Sequence, residues 1–172
     1  MNLQASGASA RLFTFQRACI LDLFDGSGWY FPSWDGIAVS EKDRLAYSHV
    51  NKHLVDCGLS EGKTPPVWTY ECKREELDLL ATMLLSDHEL QSSDYITLQL
   101  KVPEQYILRT CYHEWCELYF TILETGQIED NGRWLDLKTG SDSKDVTVQA
   151  ILPFLHKNWI VSQEPLLIEE SS

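Results

Sequence analysis

Between Tyr95 and Phe120 the hydrophobic period of the chain switches across one proline, and that switch decides which folds the chain can enter. Ile96, Leu98, Leu100 and Val102 alternate with Thr97, Gln99 and Lys101, the pattern of a strand with one face buried. Pro103 stops it, because proline has no amide hydrogen to give a sheet ladder. Past the apolar pair Ile107 and Leu108, the spacing becomes Trp115, Leu118, Tyr119, Ile122, the stripe of a helix face. The stretch predicts a strand, a proline stop and an aromatic-faced helix acting as one packing unit to which the rest of the chain docks.

The flanking segments supply the partners. Residues 11–16 alternate Leu12, Thr14 and Gln16 against Phe13 and Phe15 and predict a first strand; residues 17–25 predict a short helix with Ile20, Leu21 and Phe24 inward, broken by Gly26 and Gly28. Residues 29–36 form an aromatic loop. Ser40 is an N-cap for a helix whose face is Ala46, Val50, Leu54 and Cys57, closed by Gly58. Residues 67–72 have strand composition, residues 73–86 a helix face of Leu77, Leu80, Met83 and Leu84, and residues 87–94 read as a polar connection. Beyond the central helix, residues 124–145 form an acidic, turn-rich excursion in which R-W-L-D-L predicts a short strand, and residues 146–152 predict a late one before Pro153. No glycine-rich phosphate loop accompanies the alternation. The expectation is therefore an α+β fold, a single domain of mixed, mostly antiparallel sheet packed with about four helices over residues 11–163, with a disordered stretch 1–10 and an acidic tail 164–172.

Length and composition fit one domain with its own core: 172 residues, 44% hydrophobic. With no apolar run of transmembrane length and no signal-peptide pattern, no membrane contact is expected and a cytoplasmic location is. Five scattered cysteines without a C-x-x-C pair fit reduced thiols. The net charge of −12 is lopsided: residues 1–86 hold 11 acids and 8 bases, residues 87–172 hold 15 and 6. Such a surface repels phosphates, which speaks against direct nucleic-acid binding, and attracts a basic protein partner.

Catalytic signatures are sparse. His49 and His53 lie one helical turn apart, but no H-E-x-x-H surrounds them and the sequence shows no third ligand, so no metal is expected. Cys116 and His113 share a helix without visible oxyanion donors, and Glu114 and Glu117 fit the wet face opposite Trp115 and Leu118.

Several motifs recur in a familiar order: F-T-F-Q at 13–16, A-Y-S-H at 46–49, P-V-W at 66–68, V-P-E-Q-Y-I-L-R-T-C-Y-H-E-W-C at 102–116 and V-Q-A-I-L-P at 148–153. In order and spacing they resemble the bacterial and phage domain-of-unknown-function family 3841 over most of the chain. Where that family carries S-D-F-D-x-W-H, this chain has Thr110, Cys111, Tyr112, His113, Glu114, Trp115 and Cys116, keeping the aromatic framework and replacing polar groups. The opening strand, the glycine-stopped short helix and the late strand before a proline also look like the layout of small ADP-ribosyltransferases, which cleave NAD. That resemblance implies a carboxylate on the late strand, where this chain has Gln149, Ala150 and Ile151.

Two functions follow as expectations. The first is an acidic protein-binding module, an inhibitor or modulator from a phage or mobile element, that uses Glu124, Glu129, Asp130, Asp136, Asp142 and Asp145 to engage a basic, nucleic-acid-binding protein and needs no cofactor. The alternative is an NAD-using, ADP-ribosyltransferase-like enzyme with a pocket of Gln16, Tyr47 and Gln149 walled by Trp29 and Trp34.

Overall fold

The alternating stretch around Leu98 is a strand inside a six-stranded antiparallel sheet. The computed structural model describes residues 7–36, 40–92, 94–137 and 147–166. The strands are β1 (Ser9–Arg17), β2 (Trp29–Tyr30), β3 (Val67–Glu71), β4 (Tyr95–Pro103), β5 (Leu108–Cys111), β6 (Val148–Leu152), β7 (Leu155–His156) and β8 (Ile160–Pro165). The α-helices are α1 (Glu41–Asp56), α2 (Arg74–Leu84), α3 (Asp87–Gln91) and α4 (Tyr112–Thr125). The main sheet runs β5-β6-β3-β1-β4-β8, and β2 pairs with β7 in a separate ribbon. The chain is thus a single mixed α+β domain with four α-helices among the described residues.

Register sorts the side chains into two cores. Leu12 opposes Leu100, Ala10 opposes Val102 and Val67 opposes Leu152. These pack with Ile20, Leu155 and Trp159 on one face of the sheet. Phe13 opposes Tyr70 and Trp68 opposes Ile151, so these side chains point to the other face. There α1 and α4 lay Val50, Leu54, Leu118 and Ile122 over Ile151, and α2 sets Leu77 and Leu80 on Tyr70. The predicted packing unit therefore divides: β4 fills the first core and α4 the second. Because both faces are covered, Thr97, expected on a wet side, is 2% exposed.

Local chemistry explains the element ends. Ser40 Oγ accepts the Asp43 amide and the Asp43 carboxylate accepts the Ser40 amide, a capping box that starts α1. α4 stops at Gly126, whose φ of 71° closes the helix in the left-handed region.

Several expectations shift. The first strand starts at Ser9, two residues early, with Ser9 and Ala10 paired to Pro103 and Val102. At the other end β8 takes Glu164 and Pro165 from the expected tail onto Thr97 and Ile96. The short helix after β1 is a 3-10 turn, Ala18–Asp22, whose tighter pitch buries Ile20 and turns Leu21 out. Residues 87–91, expected as connection, form α3, capped by Ser86. R-W-L-D-L gives a 3-10 turn at Arg133–Leu135 instead of a strand, because Gly132 turns the chain at φ 75° and Trp134 is buried. Leu108–Cys111, hidden between the proline and the helix, is edge strand β5. Cys57 is the exposed C-cap of α1, and Met83 and Leu84 face outward at the end of α2.

Candidate functional site

β1 and β3 share only one register pair, Phe13 with Tyr70. Beyond it the Thr14 hydroxyl donates to the Trp68 carbonyl at 2.8 Å, a side chain standing where a ladder bond would otherwise be. Over this part of the sheet lies an open cleft of about 580 Å³. Trp68 and Tyr70 of β3 and Gln149 of β6 belong to the sheet side of the cleft; α4 contributes Tyr112, His113, Trp115, Cys116 and Tyr119; Thr14, Phe15, Gln16, Tyr47 and Leu85 also line it. The lip carries Met83, Leu84 and Phe120, exposed at 67%, 50% and 60%.

Ring packing sets the walls. Trp68 stacks on Trp115 with centroids 5.5 Å apart, and Tyr47 meets Trp68 edge-on at 5.5 Å. The Trp68 indole N–H is buried and closes no hydrogen bond. Gln149 is held from behind, its side-chain oxygen accepting from the Thr110 hydroxyl at 3.3 Å, and the Gln16 amide donates to Thr14 at 3.0 Å. Burial pushes the Tyr70 and Tyr112 hydroxyls well above the usual tyrosine range, so both stay protonated. Burial likewise raises the Cys116 thiol. His113 lies 4.0 Å from Glu117 and is 80% exposed, so no cysteine–histidine pair is formed. No carboxylate, lysine or arginine among the described residues lines the cleft.

On another side of α4 lies a polar groove of about 360 Å³ with Glu114, Glu117 and Glu129 on its walls. Arg133 approaches Glu114 at 3.4 Å across it. α4 therefore carries rings on one flank and carboxylates on another.

Of the residues the sequence nominates, Gln16, Tyr47 and Gln149 meet in the aromatic cleft. Trp29 does not: it faces the opposite core, against Phe154 at 4.9 Å and His156 at 4.4 Å. Trp34 lies outside the cleft walls and touches Tyr47 edge-on at 6.5 Å, with the Arg44 guanidinium 5.5 Å from its ring. Glu124, Glu129 and Asp136 are exposed; Asp142 and Asp145 lie outside the described residues. Asp130 is an internal anchor instead of a free surface charge. Its Oδ2 accepts from Trp134 Nε1 at 2.9 Å and meets His49 Nε2 at 2.7 Å, while Oδ1 accepts the Gly132 amide at 2.6 Å. These hydrogen bonds hold its carboxyl below the usual range against the opposing effect of burial. His53 lies 3.7 Å from the same oxygen, so a carboxylate from a segment 77 residues beyond it stands against both histidines.

The sequence carries a signal for Trp115 and Tyr119 in their helical stripe, but none for Trp68 and Tyr70 as cleft walls, since that depends on where β3 parts from β1. Compared with protein-family models, curated proteins and solved structures, the chain matches none, so the site is read from its own residues.

Proposed function

We propose that this protein is a binding module for a basic protein partner, seated on α4 and its two flanks. The observation that carries the reading is that an aromatic cleft and a carboxylate-walled groove share this one helix. Tyrosine and tryptophan faces attract a lysine or arginine head through their quadrupoles, and the exposed Met83 and Phe120 offer apolar surface to its stem. Glu117 and Glu129 take neighbouring cations, and the charge of −12 steers the approach. The module would inhibit or modulate its partner by covering a basic, nucleic-acid-binding surface. In this reading Glu124, Glu129 and Asp136 remain contact residues and Asp130 becomes internal support.

The test is titration of an arginine- and lysine-rich peptide against an acidic peptide of equal length, at low salt and at roughly 0.5 M, where screening shortens to a few ångströms. Selective binding of the basic peptide, weakened by salt, by Phe120→Ala and by the Glu117→Lys/Glu129→Lys pair, supports the reading. Equal binding of both peptides, or indifference to all three changes, sinks it.

The meeting of Gln16, Tyr47 and Gln149 favours a second reading, an NAD-binding cleft. With an amide in place of the carboxylate, the late strand offers no negative charge to an oxocarbenium-like state. NAD binding lost in Gln149→Ala would support it; no NAD binding by the wild type would dismiss it.

A further inference from the structure

We infer that His49, His53 and Asp130 form a binding site for a divalent transition-metal ion of the zinc class. Both histidines project from α1 at i, i+4, which places their rings one above the other with centroids 5.0 Å apart. Asp130 arrives from the segment after α4, and one ligand atom from each of the three residues lies within 4.8 Å of the others.

The chemistry of the set selects the ion. Two imidazoles and one carboxylate suit zinc and its neighbours, whereas calcium and magnesium need more oxygen ligands than this site has. Zinc bonds of about 2.0–2.1 Å in tetrahedral geometry put ligand atoms about 3.3 Å apart. The His49 to Asp130 distance of 2.7 Å must open slightly and the His53 to Asp130 distance of 3.7 Å must close slightly. The two imidazoles, whose ligand atoms lie within the same 4.8 Å span, would draw together on the ion by side-chain rotation. His49 would take the tautomer with its proton on Nδ1, leaving the Nε2 lone pair for the ion.

Asp130 is already oriented for this role. Trp134 and Gly132 donate to its two oxygens and fix the carboxylate plane, the outer support that metal ligands require. The side chains of His49, His53 and Asp130 are 13%, 25% and 15% exposed, so solvent, and an ion with it, can reach all three. Bound there, the ion bridges α1 to the 126–137 segment. It adds a cross-link to the face of the domain that carries α4 and stabilises the folded chain by mass action.

The experiment uses the untagged full chain, stripped with chelator and titrated with Co²⁺ and then Zn²⁺. One ion per chain is expected, with visible ligand-field bands of low-symmetry cobalt, no thiolate charge-transfer band in the near ultraviolet, and bleaching by zinc. His53→Ala keeps the His49–Asp130 hydrogen bond and hence the fold, checked by far-ultraviolet dichroism. It should weaken zinc by more than the roughly 10–100-fold that loss of a supporting residue costs. Asp130→Asn should weaken it similarly, while the exposed His88→Ala should bind like the wild type. No stoichiometric ion, a thiolate band, or unchanged affinity in a folded His53→Ala would overturn the assignment.

Discussion

The Tyr119 hydroxyl donates to the Asp43 carboxylate at 2.6 Å, tying the middle of α4 to the first turn of α1. The same carboxylate caps α1 through Ser40, so one side chain serves helix initiation, helix packing and the edge of the aromatic cleft.

Asp43 gives the fold an acid sensitivity. The Tyr119 hydroxyl, then Ser40, hold its carboxyl below the usual aspartate range. A depressed carboxyl contributes stability that is fully present above its unfolded value, about pH 4, and is lost as pH falls through the lower folded value. Tyr119→Phe should cost about 1 kcal/mol at neutral pH, discounted for the partial exposure of the pair, and flatten the acid limb of stability against pH. Urea unfolding from pH 7 down to about pH 2.5 checks both.

Two nearby glycines should respond oppositely to alanine. Gly28 has a φ of 90°, and a Cβ there meets Lys157 side-chain carbons at 3.0 Å and His156 Nε2 at 3.1 Å. Gly28→Ala should destabilise by about 1–2 kcal/mol through backbone strain. A Cβ on Gly26 meets nothing within 4 Å, so Gly26→Ala should be neutral or gain a few tenths of a kcal/mol. Thermal melts of the two variants, side by side, give the comparison.

Ile122 is 0% exposed in the core between α1 and α4. Ile122→Ala should cost about 3 kcal/mol, transfer and cavity together, and lower Tm by roughly 6–12 °C for a domain of this size. Denaturant unfolding should show a lower midpoint with an unchanged slope.

Thiol chemistry should sort the five cysteines by burial. Cys19 and Cys57 are exposed and should alkylate first. Burial, with Glu76 and Asp78 nearby, pushes Cys72 up to about 12, leaving a thiolate fraction roughly a thousandfold below that of a free cysteine. Cys111 is buried, and burial raises the Cys116 thiol. Iodoacetamide at pH 8 followed by peptide mass mapping should find Cys19 and Cys57 modified well before the other three.

The sequence showed elements whose signal is local. Ser40 caps α1 as its place before the helix implies, and Leu98, Leu100 and Val102 face one core as their alternation requires. It failed where tertiary contact decides. The four residues of β5 are too short for a period to register, and Thr97 is buried because helices cover the face that alternation marks as wet. Of the nominated pocket residues, Gln16, Tyr47 and Gln149 line the cleft and Trp29 and Trp34 do not, and the sequence carries no signal for Trp68, whose place in the cleft depends on the single register pair between β1 and β3. Asp130 looked like one more acid in an acidic stretch. Nothing in its neighbours announced two histidines from α1.

Trp68, Trp115 and Trp134 stand in a column with successive centroids 5.5 and 5.3 Å apart. At one end Trp134 meets the His53 ring at 5.0 Å, and at the other Trp68 meets Tyr47. Three of the six tryptophans sit in ring contact along one line between the two sites. The domain thus carries its own optical reporter. A cation over the cleft and an ion on the histidines would act on the same emission from opposite ends, and either event can be followed in the unlabelled protein.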